Sequence, residues 1–107
     1  MKKSLNLIMI GGDSRQIYLA QQLIRDGHSV LLYAIDPSLC PDVPTCKSFP
    51  PLSDADCIIL PLPAFREHYQ INTPLFKEQV PVSRLTDELR QGLIVIAGYL
   101  PTSFLEI

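Results

Sequence analysis

Four apolar runs, at residues 5–10, 30–35, 57–62 and 93–97, constrain this chain more than any other feature. None alternates polar with apolar side chains. An unbroken stretch of Val, Ile and Leu reads as a strand buried on both faces, and such strands belong to parallel sheets covered by helices. Between the first two runs the pattern changes to a helical one. Ile17, Ala20, Leu23 and Ile24 form one stripe, while Arg15, Gln22, Arg25 and Asp26 face outward. Asp13 or Ser14 caps this helix, Gln16 completes a capping box with Asp13, and Gly27 stops it. Residues 5–35 thus form a strand–helix–strand unit with a right-handed crossover. The expected fold is α/β: a three-layer, open, mostly parallel sheet with helices on both faces, flavodoxin-like or Rossmann-like.

Composition narrows the class. A chain of 107 residues fits one domain, residues 1–107, with a core of its own. With 47% hydrophobic and 19% charged residues it is not a disordered segment. The formal charge is −2 and the basic residues are scattered, so nucleic acid is not an expected partner. No run approaches the roughly 18 apolar residues of a membrane helix. Lys2-Lys3 and the run after them are too short for a signal peptide, and Gly11-Gly12-Asp13 ends that run with a charge. Cys40, Cys46 and Cys57 are an odd set without a CxxC, which argues against a disulfide framework or a zinc site. Three ordinary thiols and a cytoplasmic location are expected.

All ten prolines lie at or after Pro37, so regular structure is concentrated in the first third. Residues 36–51 read as loop with a short strand near 47–49. Pro61 and Pro63 close the third main strand, since proline cannot donate to a central ladder. Residues 64–77 are ambiguous, because Asn72-Thr73-Pro74 breaks any long helix. Residues 83–91 read as a short helix capped by Ser83, with Leu85 and Leu89 inward and Gly92 as its stop. Pro101 suits the first turn of a further helix. Only residues 102–107 follow it, too few to hold together alone. The chain is therefore expected to be a piece of something longer, or to pair with another chain here. Leu100, Phe104, Leu105 and Ile107 would then favour a homo-oligomer in isolation.

Ligands of open parallel sheets bind where strands end and helices begin. The leading candidate is Ile10-Gly11-Gly12-Asp13-Ser14-Arg15-Gln16, after the first strand. A dinucleotide site needs G-x-G-x-x-G. Starting at Gly11 puts Asp13 and Gln16 at the second and third glycine positions; starting at Gly12 puts Ser14 and Ile17 there. Both fail, since a carboxylate would face the pyrophosphate and side chains would block its approach. Asp36 stands 24 residues after Gly12, where a ribose-binding acid belongs, but the glycines it would serve are absent. The loop offers instead backbone N–H groups at a helix start, the Ser14 hydroxyl and the Arg15 guanidinium. That set suits a small carboxylate, which arginine grips with two parallel hydrogen bonds. Asp13 either caps the helix and orients Arg15, or accepts from a ligand. The plainer alternative is that Asp13 only caps and Arg15 only decorates the surface.

A second cluster, Pro61, Pro63, Arg66, Glu67 and His68, belongs to the same rim, where Arg66 and His68 would meet an anion or carry a proton. A solvated loop is the plainer reading, because no third partner is identifiable. His28 lies on the opposite edge and reads as surface. Gly98-Tyr99, after the last main strand, is a third contributor to the rim, or a turn glycine beside a packing tyrosine.

The heptapeptide from Ile10 to Gln16 resembles the I-G-G-D-x-R-Q opening motif of the dipicolinate synthase A-subunit family. Asp56-Cys57-Ile58-Ile59-Leu60-Pro61 resembles that family's third-strand segment. Ile94-Val95-Ile96-Ala97-Gly98, with Phe104-Leu105-Glu106, is similar to its segment leading into the next helix. The resemblance covers nearly the whole chain but only the family's N-terminal domain. It implies an NADP-dependent oxidoreductase that makes dipicolinate from a dihydrodipicolinate precursor in sporulating bacteria. It implies a flavodoxin-like N-terminal domain, a separate C-terminal Rossmann domain that binds NADP, and, as partner, a flavoprotein-like B subunit. No cofactor is then expected in this chain, which would not turn over substrate alone. Gly12, Asp13, Ser14 and Arg15 are the motif matches. Gly11, Gly12, Asp13, Ser14, Arg15, Arg66, His68 and Gly98 form the expected site for a small dicarboxylate.

Three readings compete: the substrate-side domain of such an oxidoreductase, a stand-alone module that binds a small anion or nucleotide, and an interaction domain whose rim holds no ligand. The expected strand order is 2-1-3-4-5, with the dinucleotide-fold order as alternative.

Overall fold

The computed structural model describes residues 4–66, 69–87 and 93–97. Strand β1 (Asn6–Ile10) leads into helix α1 (Ser14–Arg25) and back to strand β2 (Ser29–Tyr33). A single 3₁₀ turn, Pro37–Leu39, opens a long connection to β3 (Cys57–Ile59). A short hairpin follows, β4 (Phe65–Arg66) with β5 (Gln70–Ile71), then helix α2 (Val82–Thr86) and strand β6 (Ile94–Ile96). The main sheet has the order β2-β1-β3-β6, parallel throughout. Counting main strands alone this is 2-1-3-4, and the chain reverses its direction of travel between β1 and β3.

The continuous apolar runs are explained by the pleat. Odd-numbered Leu7, Met9, Cys57 and Ile59 join Ala20 of α1 in one buried cluster. Even-numbered Ile8, Ile10 and Ile58 join Val82 and Leu85 of α2 in the other. Helices therefore cover both faces, and each strand residue finds apolar contact whichever way it points. No helix among the described residues is long and apolar enough to cross a membrane.

Helix α1 begins and ends largely as its sequence dictates. Asp13 is the N-cap, its side chain accepting from the Arg15 N–H. At the other end the His28 N–H donates to Leu23 O and the Gly27 N–H to Ile24 O, with Gly27 at φ +95°. That paired arrangement is a Schellman stop, which needs a residue free to adopt the left-handed region. His28 is only half-buried, and its Nδ1 accepts from the Leu5 N–H at 3.1 Å, tying the helix exit to the start of β1.

Three local expectations are corrected. Gln16 does not reach back to complete a capping box; its amide is buried and donates to Ile59 O at 3.3 Å. Ser83 is not a cap, because α2 starts one residue earlier, with Pro81 at the N-cap and no side-chain cap bond. Residues 47–49 form no strand; the chain pairs earlier, in a parallel bridge between Leu32 and Thr45, and Phe49 is buried edge-on to Tyr33 at 5.5 Å. Leu89, Gly92 and the helix expected from Pro101 lie outside the described residues.

Candidate functional site

The carboxyl ends of β1, β3 and β6 open onto a cleft of about 230 Å³. The α1 start lines it with Gly12, Asp13, Arg15, Gln16 and Leu19, and β3 and its exit line it with Ile59, Leu60, Pro61 and Leu62. Ile96 closes the far side. The lining is apolar apart from the Asp13, Arg15 and Gln16 side chains. The cleft sits where the strand order reverses, the usual ligand position in open α/β sheets.

Arg15 is the focus of this cleft. Its Nε donates to Asp13 Oδ1 at 3.0 Å and its Nη2 to Asp13 Oδ2 at 2.9 Å, a two-pronged grip on one edge of the guanidinium. The same Nη2 donates across the cleft to Leu62 O at 2.9 Å. Nη1 has no hydrogen-bond partner among the described residues, and the Arg15 side chain is 66% exposed. The Arg15 hydrogen bonds hold the Asp13 carboxyl below its usual 3.8, and Asp13 in turn raises the guanidinium. Asp13 thus caps the helix and orients Arg15, while Arg15 straps the β1–α1 turn to the chain leaving β3. Ser14 is exposed on the first turn of α1.

The glycine turn itself is closed. The Gly11 N–H donates to Tyr33 O at 2.8 Å and the Gly12 N–H to Asn72 O at 2.9 Å. The Arg15 N–H is taken by Asp13 Oδ1 and the Gln16 N–H by Asp13 O. Four of the N–H groups around this helix start are thus taken within the chain, while those of Asp13 and Ser14 have no hydrogen-bond partner among the described residues. A Cβ on Gly11, at φ +71°, would stand 2.6 Å from Asn72 O; one on Gly12, at φ +94°, would stand 2.9 Å from Gln16 Cβ and 3.1 Å from Pro61 Cβ. Gly11 thus serves the close approach of the Asn72 backbone, and Gly12 that of the Gln16 and Pro61 side chains, a use that glycine at positive φ permits.

The β4–β5 hairpin makes that closure. It carries Asn72 and Thr73 onto the turn, with the Asn72 N–H bonded to Ala64 O and the Asn72 side-chain amide to Pro63 O. Arg66 lies on β4, and its Nη2 donates to the buried Thr73 Oγ1 at 3.0 Å. Arg66 does not line the cleft; it approaches the glycine turn through Thr73. His68 and Gly98 lie outside the described residues. The residues missed from sequence are Gln16, Leu62, Asn72 and Thr73. Only the Gly11-Gly12 pair signalled that something must approach this turn closely.

Cys40, Cys46 and Cys57 are free thiols, and burial raises the pKa of each. They are held as thiols and none lines the cleft.

The family model of the dipicolinate synthase A-subunit N-terminal domain matches residues 6–107. The chain belongs to that family. Two solved structures share its fold. The crystal structure of the dipicolinate synthase A chain from Bacillus subtilis superposes with a TM-score of 0.80 at 22% identity, over 99% of this chain and 37% of that one. The crystal structure of the dipicolinate synthase A-subunit from Bacillus halodurans gives a TM-score of 0.77 at 20% identity, over 97% and 38%. This chain therefore spans less than two-fifths of either solved chain. Comparison with curated proteins gives no match.

Proposed function

We propose that this chain is the substrate-side, N-terminal domain of a dipicolinate synthase-like oxidoreductase, which forms dipicolinate from dihydrodipicolinate. In this reading residues 1–107 are one domain of a longer two-domain protein. A separate Rossmann domain would hold NADP, the hydride acceptor, and a B subunit would be a further partner. The chain's own task is to hold the small dicarboxylate. The observation that carries this is Arg15, oriented by Asp13 at the mouth of a largely apolar cleft of about 230 Å³. Pockets for drug-sized ligands run to roughly 300–1,000 Å³, so this one suits a single ring with a carboxylate. A dinucleotide would need both more room and the N–H groups of the glycine turn, and those of Gly11 and Gly12 are already held by Tyr33 and Asn72.

Titration of the 107-residue chain, followed by amide NMR, tests the division of labour. Dipicolinate is expected to shift the Gly12, Arg15 and Leu62 signals, and NADPH to leave Gly12 unmoved. An NADPH response at Gly12 would return the cofactor to this turn and overturn the assignment. Silence with dipicolinate would remove the substrate role.

A further inference from the structure

Arginine has two edges that grip a carboxylate: the side formed by Nε and Nη2, and the end formed by Nη1 and Nη2. In this chain Asp13 holds the side, at 3.0 and 2.9 Å. The end is half-used, because Nη2 also donates to Leu62 O and Nη1 has no partner among the described residues. An exposed arginine left to itself spreads over many rotamers and must give up that freedom on binding. Asp13 removes that freedom in advance. It also sits at the N-cap, so its own position is fixed by the helix backbone.

We propose that Asp13 is a positioning residue for ligand recognition: it grips the side of Arg15 so that the end of the guanidinium seats one ligand carboxylate, which replaces Leu62 O on Nη2 and adds a bond to Nη1. The inference rests on the carboxylate-ligand reading above. Arg15 is the one cationic side chain lining the cleft among the described residues, so the seat takes a single carboxylate. An opposite effect competes, since the Asp13 charge also repels an incoming anion. At this exposed site the repulsion is screened by water and salt, whereas the loss of orientation is not.

Two substitutions separate the roles of Asp13. Asp13→Asn keeps a capping oxygen, since Asn and Asp cap about equally well, but loses the charged two-pronged grip. Asp13→Glu keeps a carboxylate that can reach Arg15 but is a poor cap. Dipicolinate affinity and thermal midpoint are measured on the wild-type chain and both variants. Asp13→Asn is expected to leave the midpoint within about 2 °C and to weaken binding about tenfold. Asp13→Glu is expected to lower the midpoint by about 4–8 °C and to keep binding within about threefold. Unchanged or tighter binding by Asp13→Asn overturns the proposal, tighter binding making Asp13 a competitor for the guanidinium. Binding that follows the midpoint through both variants overturns it as well, by making the effect structural. A wild-type chain that fails to bind dipicolinate sinks the substrate reading first, and the proposal with it.

Discussion

The rim of the sheet has two halves that treat the same strand ends in opposite ways. Above β1 and β2 Gly11 is packed by Asn72 and Thr73 from the hairpin, Gly12 at the edge of the cleft is packed by Gln16 and Pro61, and the N–H groups of both glycines are spent within the chain. Above β3 and β6 the cleft is open, with Leu62 and Ile96 more than half exposed and Arg15 reaching across it. A glycine pair after a first strand is ordinarily the mark of an anion cradle. Here it marks a place where the protein folds onto itself, and the cation of the rim is the neighbouring Arg15. Glycine at a turn signals close approach without saying what approaches.

The largest effect should come from filling the closed half. Gly11→Ala puts a methyl group 2.6 Å from the Asn72 carbonyl oxygen at a φ of +71°. Overpacking and backbone strain each cost about 1–3 kcal/mol. A loss near 3 kcal/mol is expected in urea unfolding, and a loss under 1 kcal/mol would show the hairpin yielding instead. The open half should behave in reverse. Arg15→Ala touches a side chain that is 66% exposed, so stability should change by less than about 0.5 kcal/mol. Its affinity for dipicolinate should fall at least tenfold, or about 1.4 kcal/mol, and unchanged calorimetry would take Arg15 out of the site.

How far the two halves were legible follows from the distance over which each is built. The strands, the Asp13 cap and the Gly27 stop are local patterns, and the structure keeps them. Closure of the turn depends on Gly12 meeting Asn72, sixty residues on, through a hairpin of two-residue strands too short to show a period. Gln16 reads locally as a capping partner, yet it is drawn inward by the Ile59 carbonyl. The Asp13–Arg15 pair was legible as an option because the residues are near neighbours. The strap to Leu62 was not, because it joins two loops that only the sheet brings together.

A smaller effect would sharpen the account of the open half. With Arg15 the one arginine lining the cleft among the described residues, picolinate, which carries a single carboxylate, should bind this chain within about twofold of dipicolinate. A preference for dipicolinate above tenfold would require a second cation from elsewhere in the chain. The smallest effect is one of pH. The folded Asp13 pKa lies below 3.8, so its pairing supports the fold above that value, and the support is lost as the pH falls through the folded pKa. The gap in thermal midpoint between wild type and Asp13→Asn should therefore narrow on acidification from about pH 5 to about pH 2. A gap that stays constant would mean that the Asp13 charge does not bear on folding.

The last strand gives the molecule a practical character. Ile94 and Ile96 are 60% and 53% exposed, on the sheet face that α1 shelters at the other strands. Leu62, at 52%, extends this greasy ledge beside the cleft. A preparation of the chain should cling to phenyl resin at modest salt, and Ile96→Lys should wash off early.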